Sequence, residues 1–198
     1  LVARNANAFN DKEVQVNNGA SLLIAGVDLI TGGLTLNGSG VGGAGALQGA
    51  GTASHKGAVT LNTASAIGAA AGSTLTLNNP LTGPGGLAKV GSGRLDLTAG
   101  SSYAGGTTIE AGTLVAQHAS ALGGGGVLVN DGASLLIDSV TLTTGGLTLN
   151  GRGVGGAGAL QGTGTAGHFR LYASDGTTCH MQGTVTATGG GGASARSQ

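Results

Sequence analysis

The sequence predicts an all-β chain wound as a β-solenoid of short-stranded rungs, with no substantial helix. Three observations predict it. First, the chain repeats itself: residues 1–55 return at 114–168, with 38 of 55 aligned positions identical and no gaps. Self-similarity at a fixed offset is the mark of a stacked architecture. Second, short alternations of apolar and polar residues recur along the chain, the pattern of half-buried strands. Third, aromatic residues are 2% with no Trp, while glycine is 44 of 198. A narrow interior filled by columns of Leu, Val, Ile and Ala has no room for many rings.

The bulk composition narrows the alternatives. Charged residues are 8% and balance to zero, far below the ~25% of an ordinary soluble domain. The surface is therefore neutral and rich in hydroxyls. Glycine does not fall at every third position, which excludes collagen. Apolar residues at 39% with no net charge argue for order rather than disorder. No basic cluster exists to recruit nucleic acid or an anionic membrane surface. One cysteine, Cys179, excludes an internal disulfide. No apolar run approaches the ~20 residues of a membrane helix, so no direct membrane insertion is expected. The chain opens at Leu1 inside a repeat unit, which reads as an excised or truncated boundary.

In chain order, strands are expected at Val14–Asn17, Leu34–Asn37, Val59–Asn62, Leu75–Asn78, Leu95–Thr98, Val127–Asn130 and Leu147–Asn150. Each is followed by Asn, Gly, Asp or Ser, which favour turns. Residues 64–71 are the nearest approach to a helix and read as a turn segment. The block Ser21–Ile24, Gly32–Gly38 and Val41–Gly49 returns as Ser134–Ile137, Gly145–Gly151 and Val154–Gly162. Coils of roughly 20 to 25 residues, stacked ~4.8 Å apart, give about eight rungs and a rod of about 40 Å.

The middle of the chain carries a longer signature. It reads Gly85-Gly86-Leu87-Ala88-Lys89-Val90-Gly91-Ser92-Gly93-Arg94-Leu95-Asp96-Leu97, then Tyr103-Ala104-Gly105-Gly106-Thr107-Thr108-Ile109, then Gly112-Thr113-Leu114. This closely resembles the passenger-associated transport repeat of bacterial autotransporters, with pattern GGL-x-K-x-G-x-G-x-L-x-L, Y-x-GGTT-I and x-x-G-x-L. It departs at Ser101-Ser102, where the family has Asn-Thr. The signature covers some 50 residues, and the duplicated flanks extend the likeness over most of 1–168. The resemblance implies a right-handed parallel β-helix in a secreted passenger near the outer-membrane anchor. It implies a location outside the cell or on the bacterial surface, tethered to the outer membrane. It also implies continuation into further β-helix and a C-terminal outer-membrane barrel.

Residues with chemical potential are spread along the same chain. Gly38–Gly43 and Gly151–Gly156 fit G-x-G-x-x-G, but a poor helix former follows each, so solenoid turns are expected rather than a nucleotide cradle. His55, His118, His168 and His180 show no metal-ligand spacing. His55 and His168 occupy one position in the two copies and read as an exposed turn. Ser92 lies in a G-S-G turn of the signature rather than in a nucleophile elbow. The acids Asp11, Glu13, Asp28, Asp96, Glu110, Asp131, Asp138 and Asp175 are scattered. Asn17, Asn37, Asn62, Asn78, Asn130 and Asn150 are expected to form amide ladders at corners, and Thr35, Thr60, Thr76 and Thr148 an outward column. Lys89, Arg94 and Glu110 read as solvated charges.

No catalytic, cofactor-binding or metal-ligating residue is nominated, and no cofactor is expected. The expected role is a non-catalytic stalk segment. Two alternatives stand beside it: an adhesin module for host glycan, matrix or self-association, and a carbohydrate-active β-helix enzyme. Residues 169–198 diverge from the first copy and hold the one Cys and the one Met. Their composition suggests a strand at 184–188 and disorder over 189–198. A capping segment, a true boundary and a reading-frame error all remain open, with a non-native or truncated end favoured.

Overall fold

The computed structural model describes residues 1–166 throughout. Beyond them it describes the backbone strands Phe169–Tyr172, Thr178–Cys179, Gly183–Thr186 and Ser194–Ser197. The chain is a parallel β-solenoid of about eight turns, and each coil runs along three sides. The first side stacks Val2–Ala3, Leu22–Ala25, Leu47–Ala50, the latter part of Val59–Ala69, Leu87–Val90, Thr107–Ile109, Gly126–Val129 and Gly146–Asn150. The second stacks Asp28–Ile30, Thr52–Lys56, Thr74–Leu77, Arg94–Leu97, Gly112–Ala116, Ala133–Ile137 and Leu160–Gly162. The third begins with Glu13–Val16, Gly33–Gly38, the start of Val59–Ala69 and Leu81–Thr82. Isolated backbone bonds carry it on to Thr141–Leu142 and Thr165–Ala166.

Alternation in the sequence becomes inward columns in the coil. On the first side, Leu22, Leu47, Ile67, Lys89, Ile109, Val129 and Leu149 stack in register, all buried. On the second, Leu29, His55, Leu77, Leu97, Ala116 and Ile137 do the same. Each fully buried aliphatic side chain contributes about 1.5–3 kcal/mol of transfer free energy. Each coil packs mainly on the coils above and below it, so stability accumulates coil by coil.

The two sequence copies do not stack face over face. Leu22 of the first copy lies on the first side and pairs with Leu47. Its counterpart Leu135 lies on the second side and pairs with Leu160. Likewise Leu34 pairs with Val59 on the third side, whereas its counterpart Leu147 pairs with Val127 on the first. The offset of 113 residues therefore equals five coils plus one side. Within each copy the local contacts are the same. Ser21 Oγ accepts from Val41 N–H at 2.8 Å and donates to Gly45 O at 2.8 Å. Ser134 Oγ accepts from Val154 N–H and donates to Gly158 O, each at 2.9 Å. The duplicated element is a coil with its own glycine loop, and the prism accepts it on different sides.

One corner sets the pitch. Gly-Gly pairs at 85–86, 105–106, 125–126 and 145–146 recur every 20 residues and lie over one another. Gly105 N–H donates to Gly85 O at 3.1 Å, and Gly145 N–H to Gly125 O at 3.0 Å. A Cβ on Gly105 would lie 2.5 Å from Gly86 Cα, and one on Gly125 would lie 2.8 Å from Gly105 O. Backbone occupies the space that any side chain would need.

Residues 64–71, read from sequence as a turn, correct that expectation. Most belong to the eleven-residue strand Val59–Ala69, which turns a corner at the exposed residues 62–64 and resumes on the next side. Small residues are required there because the loop carrying Ala44 packs over Gly68. In the tail, Phe169–Tyr172 continues the first side, and Gly183–Thr186 pairs antiparallel with Ser194–Ser197. The expectation of disorder over 189–198 falls largely outside the described residues.

Gly105→Ala is expected to cost about 1–3 kcal/mol through overpacking. Gly124→Ala, where a Cβ meets nothing within 4 Å, is expected to stay within about 0.5 kcal/mol. Denaturant midpoints of the two variants measure the difference.

Candidate functional site

The signature residues fold into one coil and the start of the next. Leu87–Val90 and Arg94–Leu97 take the first two sides, and Thr107–Ile109 and Gly112–Ala116 begin the following coil. Lys89 shares the inward phase of Leu87, two residues away, so its stem enters the core. It is 0% exposed, and its ammonium ends against the corner backbone. Nζ donates to Val90 O at 3.1 Å, Gly91 O at 2.7 Å and Ala111 O at 2.9 Å. Two acceptors lie at its own turn and the third in the next coil. A lysine has three N–H donors, and all three are used. By residue type alone Lys89 reads as a solvated charge. The structure corrects this, because the column Ile67–Lys89–Ile109 is closed on both sides.

Tyr103 and Thr107 form the second buried polar pair. Both are 1% exposed, and the Tyr103 hydroxyl bonds Thr107 Oγ1 across the Gly105–Gly106 corner. Burial pushes the phenol pKa upward, and the bond to Thr107 only partly offsets it. Lys89, Tyr103 and Thr107 of the signature thus turn inward and fasten the coil. They present no nucleophile, base or ligand to solvent.

The other candidates disperse. The two G-x-G-x-x-G segments are surface turns containing single 3₁₀ turns, Val41–Gly43 and Val154–Gly156. Gly40 has φ of 76°, and a Cβ there would sit 2.1 Å from Gly45 O. Ser92 is exposed at a corner. Asp96 pairs with Arg94 at 2.6 Å on the same strand. Asp28 pairs with Lys56 at 2.9 Å, and that bond, then Ser54, lowers its pKa. Asp138 accepts from Gln117, Asp131 accepts from Arg152 N–H, and Glu110 is exposed. Among the described residues no group of three or more His, Cys, Asp or Glu could hold a metal ion. His118 bonds its neighbour Ser120 at an exposed turn. His168 and His180 lie outside the described residues.

The expected ladders are shorter than foreseen. Asn62 Nδ2 donates to Asn37 Oδ1 at 2.8 Å, and Asn37 Nδ2 to Val16 O at 3.0 Å. Asn78, Asn130 and Asn150 end strands on other sides, so they cannot extend this ladder. Thr35 and Thr60 are in register with Thr82 on the third side, while Thr76 and Thr148 lie on the second and first sides. The threonine column is therefore split by the rotation of the chain.

His55 also departs from its expected place. It is buried at 0% exposure rather than exposed at a turn. It stands in the second-side column between Leu29 and Leu77. Its in-phase neighbour Ala53 was the available signal.

Burial pushes the Lys89 ammonium down to about 8 from 10.5. Its unfolded form therefore holds the proton to higher pH than the folded one. The linked stability is present above pH 10.5 and is lost as pH falls through 8. Between pH 8 and 10, denaturant midpoints of the native chain are expected to rise, and those of Lys89→Met to stay flat. Lys89→Ala is expected to lose about 2–5 kcal/mol at neutral pH, through a cavity and carbonyls left without a donor.

Comparisons with known proteins agree with this coil. The profile of the Passenger-associated-transport-repeat family matches residues 87–116. The Adhesin BmaC autotransporter of Brucella suis biovar 1 (strain 1330) is 35% identical over 119 residues. The alignment covers 60% of this chain and 3% of that protein, so the chain spans a small fraction of its relative. No solved structure matches the chain. Residues 87–116 thus match a passenger-associated transport repeat, set in a β-solenoid that is similar to part of an autotransporter adhesin.

Proposed function

We propose that this chain is a structural stalk segment of a surface-displayed autotransporter passenger, without catalysis. The observation that carries the reading is the inward use of the signature. Lys89, Tyr103 and Thr107 spend their polar atoms on the coil itself. Four of the charges are engaged with near neighbours in two ion pairs, Lys56–Asp28 and Arg94–Asp96. Exposed pairs of this kind contribute about 0–1 kcal/mol and leave a surface that is neutral and hydroxyl-rich. Coils of this kind add one at a time, each docking on the last, which suits a chain emerging through a narrow pore. The parent protein continues into further β-helix and an outer-membrane barrel in this reading.

A second reading is favoured by the relative's own description as an adhesin. The solenoid would then contact host matrix, glycan or another copy of itself. Two measurements separate the readings. In the full-length parent, excision of residues 107–126 removes one coil in register, since Thr107 pairs with Val127. The stalk reading expects display and cell binding to survive a rod about 5 Å shorter. It also expects the 198-residue chain alone to bind host cells no better than an unrelated β-solenoid. Binding well above that control would favour the adhesin.

A further inference from the structure

His55 is placed in a way that the stalk role does not explain. Its ring is fully buried on the second side, stacked between Leu29 and Leu77. Nε2 bonds Thr31 Oγ1 at 2.9 Å in the preceding coil. Nδ1 is buried and has no hydrogen-bond partner among the described residues. Gly57 closes the ring edge: a Cβ there would lie 3.0 Å from His55 Cε1 and 2.7 Å from Thr31 O. In the neutral tautomer with Nε2–H donating to Thr31, Nδ1 is only a bare lone pair. Protonation turns it into a buried charged N–H in a column between Leu29 and Leu77, with no hydrogen-bond partner among the described residues.

We propose that His55 makes the coil around residues 47–61 an acid-opened element of the rod, closed at neutral pH. The cost of a buried unpaired charge is relieved by separating this coil from its neighbours. Strands packed against the Thr52–Lys56 strand are Asp28–Ile30, Thr74–Leu77, Leu22–Ala25 and Leu47–Ala50. The titratable group these bring is Asp28, which points outward and pairs with Lys56 and Ser54. Among the described residues no carboxylate bonds the ring to hold the imidazolium. Burial alone accordingly lowers the His55 pKa to about 4, against 6.5 for the free side chain. The sign follows: stability of this coil is present above pH 6.5 and is lost as pH falls through 4.

Native-state hydrogen exchange of the 198-residue chain, corrected for intrinsic rates, tests this. Between pH 7.5 and 4.5 the opening constant of amides in residues 47–61 is expected to rise roughly 70-fold, while those of residues 107–137 change little. His55→Leu, which continues the leucine column, and His55→Gln, which keeps a bond to Thr31, are both expected to abolish the rise. Asp28→Asn is expected to leave it in place. A rise that persists in both His55 variants, or a native coil that stays equally protected at pH 4.5, would overturn the proposal.

Discussion

A solenoid coil must return its backbone to within about 4.8 Å of where it began. In this chain one corner leaves no space for anything but backbone. Gly85, Gly86, Gly105, Gly106, Gly125 and Gly145 carry that constraint, since backbone already stands where a Cβ would go. They lock successive coils at 20 residues, and the inward columns on each side then fall into register. Where the corner is followed by a longer loop, the coil lengthens: Leu22 to Leu47 and Leu135 to Leu160 each span 25 residues. The extra length is carried by the glycine loops that Ser21 and Ser134 pin. Because pitch and pinning are both local, a coil does not depend on which side of the prism it occupies. This is why a duplicated segment can return one side further round without losing its contacts.

The interior is apolar with a few polar exceptions, and each of those has a distinct consequence. Lys89 brings a charge inside but spends all three protons on carbonyls of two coils. Tyr103 and Thr107 satisfy one another across the glycine corner. His55 is only half satisfied. The first two tighten the transport repeat, and the last leaves a weak point two coils earlier. Buried polar groups raise the cost of being wrong about register, since a slipped coil would strand an ammonium or a phenol in hydrocarbon.

Much of this was legible in the sequence. Alternation located the strands, the duplication announced an array, and the signature near Lys89 named the coil type. The strands were legible because Leu-Thr-Leu-Asn leaves one face apolar whatever the tertiary context. The misreadings share a cause. By residue type Lys89 and His55 prefer water, although both stand two residues from an inward neighbour. For the Asn and Thr columns, position within a strand does not determine which side of the coil the strand takes. That depends on the length of every intervening coil, so a five-residue loop moves all later residues to another side. Residues 64–69 were missed because small side chains hide a strand when a loop covers them.

The corner is where the account is most exposed to test. Amide hydrogen exchange by NMR can compare Gly105 and Gly145 with strand amides such as Leu87, which donates to Gly106 O at 3.0 Å. If Gly-Gly stacking fixes the pitch, Gly105 and Gly145 are protected as strongly as Leu87, with through-bond couplings to Gly85 and Gly125. Exchange at these two amides as fast as at the exposed Gly124 would contradict it.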